Sequence, residues 1–169
     1  MTPLGMAPPT PEMLSKKLAR GFGIGPAGMS AAHQLRLSTQ IPRKALVAVP
    51  YRAPKDIGSI RFLSRAARTG RSKVRLNEIE VAVLETLDGW DSVIEIPLSE
   101  AWERLQRIIR SDAIRPDRLA MAAITEPGSV RARLRSLLSD SGFPELAQTV
   151  RQADSRTVKT VVASLAFAA

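Results

Sequence analysis

At residue 76 the chain changes character twice over, and this double change constrains its fold most. Residues 1–76 hold 14 Lys or Arg and only two acids, Glu12 and Asp56, whereas residues 77–169 hold 11 bases and 14 acids. Across the same boundary the apolar pattern passes from short runs with β-branched residues to a 3.6-residue period. The two patterns together predict an α/β (α+β) architecture. A small basic sheet with flanking helices (11–76) comes first and a helical C-terminal half (77–169) follows. The two are packed as one domain, behind a flexible lead-in at 1–10.

The core of such a domain must be aliphatic, because apolar residues make up 44% of the chain and aromatics only 4%. A chain of 169 residues removes about 70% of its extended surface from water on folding, so it needs no covalent staple. It has no cysteine, which excludes disulfides, thiolate zinc sites and a cysteine nucleophile. No apolar run approaches the ~20 residues that span a bilayer. Residues 1–11 lack the basic and apolar regions of a secretory signal. The expectation is a soluble, cytoplasmic protein with no membrane partner.

Local signals place the elements. Thr10 and Pro11 open a helix with Met13, Leu14 and Leu18 on one face. Gly21, Gly23, Gly25 and Gly28 end it in a flexible turn. A short helix follows over 30–37. Residues 44–50 (KALVAVP) and 59–63 read as strands, and Val74 is the candidate for a third. Asn77 and Glu80 have capping-box spacing ahead of Ile79, Val83, Leu84 and Leu87, and Gly89 closes that helix. Residues 93–97 read as an extended link. Ser99, Pro116, Ser129 and Pro144 open four more helices, and residues 158–167 fit a last one.

Few residues here suit catalysis or ligation. The glycine segment lacks both the strand before it and the Lys-Ser or Lys-Thr after it that phosphate loops need. His33, the one histidine, has no nucleophile and orienting carboxylate beside it, so it reads as a packed or half-exposed side chain. Asp88, Asp91 and Glu95 could hold a hard cation, but without EF-hand spacing they read as helix-end or surface carboxylates. No catalytic residue, metal ligand or cofactor is assigned, and the chain is not read as an enzyme.

The basic stretch from Arg52 to Arg75 is the informative feature. One reading makes it a solvated sheet edge that discourages aggregation. The other makes it a surface for an anionic partner, because so many like charges repel unless something neutralises them. Arg131, Arg133 and Arg135 on the 129–142 helix are a second cationic group, without the Asn or Gln of a base-reading helix.

Four stretches together resemble the antitoxin domain of the AbiEi family, from the AbiE-type (type IV) bacterial toxin–antitoxin and abortive-infection systems. They are residues 28–42 (GMSAAHQLRLSTQIP), residues 44–50 with Tyr51 and Arg52 after them, residues 74–90, and the helical ladder 102–142. The ladder contains Asp117-Arg118-Leu119-Ala120, residues 128–134 (GSVRARL) and Leu137-Leu138. The resemblance spans about residues 10–142, and the order and spacing of the stretches carry it. It implies an antitoxin for a cognate toxin of nucleotidyltransferase fold. Many members also carry an N-terminal winged helix that binds the operon's promoter. Here residues 1–10 lead directly into the antitoxin-like part, so that domain is not expected.

The expectation is therefore direct capture of a toxin with an acidic surface, with Arg52, Lys55, Arg61, Arg65, Arg68 and Arg71 as partner-binding residues. The alternative is a DNA-binding transcriptional regulator of its own toxin–antitoxin operon, with nucleic acid as the partner.

Overall fold

The computed structural model describes residues 21–166. The helix expected after Thr10 and Pro11 lies outside them. The described chain is a mixed α+β fold with nine helices and one three-stranded sheet.

The sheet is small and has unequal faces. Strand β1 (Gly25–Pro26) pairs antiparallel with β2 (Ala45–Val49), and β2 pairs parallel with β3 (Ile60–Ser64). Side chains alternate along a strand, so the two faces separate cleanly. Ala48, with Leu46 and Leu63, joins the main core; Val47, Val49, Ile60 and Phe62 form a satellite cluster capped by Ile24 and Ala53. Residues 50–59 connect β2 to β3, and both ends of this loop are tied to β3. Ser64 Oγ donates to the Tyr51 carbonyl at 2.7 Å, and Ile57 and Ile60 exchange backbone bonds at 2.9 and 3.0 Å.

The third strand is not at Val74. That residue caps α2 (Gly70–Lys73), and its N–H bonds the Gly70 carbonyl at 3.0 Å. The strand lies instead in the glycine segment, which is packed rather than free. A Cβ on Gly25 would stand 2.8 Å from both the Glu78 carbonyl oxygen and Val81 Cβ. Gly23 holds φ 79°, and a Cβ there would meet the Arg71 backbone at 2.7 Å. These glycines let a strand lie against helices, a use that a turn signal does not distinguish.

Helix α1 (Gly28–Gln34) buries Ala31 and Ala32. Helix α3 (Glu78–Asp88) is the central element, buried along Glu80 to Leu87. Its capping box is formed: Asn77 Oδ1 accepts from Glu80 N–H and Glu80 Oε1 accepts from Asn77 N–H, each at 2.9 Å. A short α4 (Trp90–Val93) follows it, and the link expected over 93–97 runs from its end, with Ile94 extended, to Pro97.

Around α3 stand α5 (Leu98–Ile109), α6 (Pro116–Ala122), α7 (Gly128–Asp140) and α8 (Pro144–Thr149). Helices α5 and α7 are capped by Pro97 and Pro127, so Ser99 and Ser129 lie inside the first turn. The last helix, α9 (Ser155–Leu165), is capped by Asp154, which accepts from Thr157 N–H at 2.8 Å.

One contiguous core draws Ala31, Leu37 and Ala48 from before residue 76 and Leu84, Leu105 and Leu134 from after it. Trp90 meets Trp102 edge to face at 5.4 Å, and Trp102 Nε1 donates to Asp140 at 2.8 Å. Among the described residues, no helix is long and apolar enough to cross a membrane.

Candidate functional site

The six cations singled out in the sequence divide into two groups of three. Arg65, Arg68 and Arg71 turn inward, toward acids of the helical half. Arg71 is fully buried, and its guanidinium forks onto Glu126 at 2.7 and 3.0 Å while Nη1 donates to Glu85 at 2.8 Å. Arg65 donates to Glu85 through Nε and Nη2, at 3.1 and 2.8 Å. Arg68 bonds Asp88 at 3.1 Å and reaches Glu85 at 3.4 Å. Three guanidinium groups thus meet three carboxylates in one network.

This placement corrects the reading of Arg71 as a contact residue, and it removes Arg65 and Arg68 from any unneutralised surface. The repulsion among these three is relieved within the chain. Their acids lie between 14 and 55 residues away in sequence.

The network's electrostatics follow from burial and pairing. Burial alone pulls the Arg71 guanidinium toward neutrality, and the Glu126 and Glu85 carboxylates more than reverse it, so its pKa is raised. Burial likewise pushes the Glu85 carboxyl up. The hydrogen bond from Arg65 and the charges of Arg71 and Arg65 outweigh that and hold it below the usual carboxylate range. Such a network stabilises only while complete, because removing one partner leaves an uncompensated buried charge.

The three arginines of α7 are engaged as well. Arg133 is buried and donates to the Leu87 carbonyl at 2.8 Å and to Asp91 at 2.9 Å. Arg135 donates to the Ala147 carbonyl at 3.0 Å, and Arg131 to the Glu126 carbonyl at 3.0 Å. These cations satisfy carbonyls that helix ends leave open. Asp88, Asp91 and Glu95 likewise have separate partners. Glu95 accepts from Ser38 Oγ at 2.7 Å and from Thr39 N–H at 2.8 Å. Those bonds, the Ser38 hydroxyl first, hold its carboxyl below the usual range.

Arg52, Lys55 and Arg61 are the other three cations. All are exposed, and none has an acidic partner among the described residues. Arg61 lies on β3, and Arg52 and Lys55 lie on the loop whose two ends are fastened to that strand. The loop's one acid, Asp56, is taken by Lys44 at 3.3 Å. These three exposed cations thus lie on the edge strand and on the loop tied to it.

A groove of about 680 Å³ opens on another side of the sheet. Phe22, Ile24, Ile41 and Leu46 supply apolar walls, and His33 and Asn77 supply polar groups. Phe22 is 54% exposed and Ile41 79%. Neither the groove nor the single histidine as a groove-lining residue was evident in the sequence. The exposed Phe22, isolated among glycines, was the available signal.

No protein-family model matches the chain, and no curated protein matches it. Among solved structures it is similar to the RV2827C protein from Mycobacterium tuberculosis, at 16% identity and a TM-score of 0.49. The match covers 86% of this chain and 57% of that one, so the chain spans little more than half that protein's length.

Proposed function

We propose that this protein is an antitoxin that neutralises a cognate nucleotidyltransferase-type toxin by binding it directly through Arg52, Lys55 and Arg61. The observation that carries the reading is the contrast within the basic stretch. Three of its arginines are neutralised inside the fold, while these three cations stay exposed without an acid partner among the described residues. Uncompensated charge of one sign on a rigid edge speeds encounter with a partner of opposite sign and fixes its register. The resemblance to AbiEi antitoxins supplies the partner class. The reading assigns no catalytic residue, metal or cofactor.

The alternative, a DNA-binding regulator that reads its promoter through α7, loses support because Arg131, Arg133 and Arg135 are engaged within the chain.

Co-expression with a nucleotidyltransferase-type toxin encoded beside it, as the proposal requires, tests the reading. The wild-type chain is expected to co-purify with that toxin and to restore growth. The triple variant Arg52→Glu, Lys55→Glu, Arg61→Glu, still folded by circular dichroism, is expected to lose both. Undiminished rescue by the folded triple variant defeats direct capture through this surface.

A further inference from the structure

Two residues other than glycine hold a positive φ among the described residues, Arg36 at 60° and Arg75 at 56°. Both stand just past the end of a helix, in the position that glycine favours. Leu37 N–H returns to the Ala32 carbonyl and Arg36 N–H to that of His33. Leu76 N–H returns to the Arg71 carbonyl and Arg75 N–H to that of Ser72. Each is a Schellman closure with arginine at its left-handed residue. A side chain there costs about 1–2 kcal/mol of backbone strain. Strain of this kind persists where the side chain has a use.

The surroundings of Arg75 indicate that use. Its guanidinium carbon lies 5.3 Å from the centroid of the half-exposed Phe22 ring. Its carbonyl accepts from Arg115 Nη2 at 2.7 Å. Lys73, two residues upstream, is exposed and has no acid partner among the described residues. Arg118 lies one turn beyond Arg115, bonded through its N–H to the Arg115 carbonyl at 3.0 Å. The nearby acids are Glu78, which is half-buried and lines the groove itself, Glu80, which is buried and taken by Arg115 at 2.6 Å, Asp117, which stands 3.9 Å from Arg118, and Asp112, which is exposed on the preceding turn. Phe22, Leu76 and Asn77 then lead directly into the 680 Å³ groove.

An aromatic ring that walls a groove, with the Arg75 guanidinium against it and Arg43 in the lining, is a combination that suits single-stranded nucleic acid. The ring stacks a base and the cations meet phosphates. An acidic peptide would use the cations but not the aromatic wall. We infer that the groove at Phe22, together with Lys73 and Arg75, is a binding site for single-stranded nucleic acid. The site uses none of the residues assigned to toxin capture, so either assignment can fail while the other stands.

Arg75→Gly makes a clean test, because glycine suits the backbone and removes only the side chain. Fluorescein-labelled DNA and RNA single strands of about 20 nucleotides are titrated with the full chain at about 50 and about 200 mM salt. The wild-type chain is expected to bind, and the DNA and RNA arms show which sugar it prefers. Arg75→Gly should weaken binding about tenfold and lower the log–log salt slope by about 0.7. Its denaturation midpoint should be unchanged or higher. Phe22→Ala should also lose about tenfold through lost stacking. Should Arg75→Gly fail to fold, Phe22→Ala and Lys73→Glu decide by the same loss.

Three results overturn the assignment: no binding by the wild type at the lower salt, full affinity in the folded variants, or competition by polyglutamate as strong as by an unlabelled strand of equal charge.

Discussion

Arg71 and Arg61 lie ten residues apart in the same basic stretch, and their circumstances are opposite. Arg71 is fully buried between Glu85 and Glu126, and Arg61 is exposed with no acid partner among the described residues. The difference comes from position in the fold. The 65–71 segment crosses in front of α3 and the turn before α7, where carboxylates face it. The side chains of Arg52, Lys55 and Arg61 face solvent. A count of charges therefore overstates the surface available to a partner, and tertiary pairing decides which cations remain. Substitutions in the two segments should accordingly separate stability from function.

The largest expected effect is at the buried end. Arg71→Ala leaves Glu85 and Glu126 without their shared partner and should cost about 3–5 kcal/mol. Urea denaturation measures it. Reversing charge at Arg52, Lys55 and Arg61 should change stability by less than about 0.5 kcal/mol each. Equal losses in the two segments would erase the distinction.

Packing in the glycine segment comes next. Gly25→Ala places a methyl group 2.8 Å from the Glu78 carbonyl oxygen and from Val81. The overpacking should cost about 1–3 kcal/mol, read as a lower unfolding midpoint. It should act by displacing β1 from α3 and leave the Arg61 edge in place.

Acid tests the network in another way. The Glu85 pKa is lowered in the folded chain, so its contribution is present above the ordinary glutamate value of about 4.3 and is lost as pH falls through the folded value. Stability of the wild type should fall steadily below about pH 5. In Glu85→Gln the fall should be shallower, from a lower starting stability. Matching slopes in the two proteins would mean that Glu85 is not an acid-sensitive member of the network.

These contrasts show what was legible in the sequence. The layout of a small sheet followed by helices was legible, because periodicity and capping are local. Asn77 with Glu80, Pro116 and Pro144 each act within one turn. The third strand was misplaced because two residues of β1 carry no period, and its glycines answer to α3 rather than to a turn. The partition of the arginines was hidden because pairs such as Arg71 with Glu126 join distant segments. One clue was present. Glu80 and Glu85 lie within the run that α3 buries, and a charged residue buried in a helix calls for a buried partner. The groove had no comparable signal, because it forms where β1, α1 and the segment before α3 meet.

The smallest expected effect bears on the arginines that belong to neither group. Arg36 holds φ 60° at the end of α1, and the bond recorded there is to its carbonyl, from Arg104 Nη1. Arg36→Gly keeps that carbonyl and relieves the left-handed strain. Glycine's greater freedom in the unfolded chain offsets part of the gain. The net stabilisation should be about 0.5–1 kcal/mol, seen as a small rise in the urea midpoint. Arg75→Gly relieves the same strain but also loses the contact with Phe22, worth about 0.5–1 kcal/mol at an exposed site, so its gain should be smaller. A drop in stability at Arg36→Gly would show that the Arg36 side chain is itself structural. It would then belong with Arg71 among the arginines that hold the fold together.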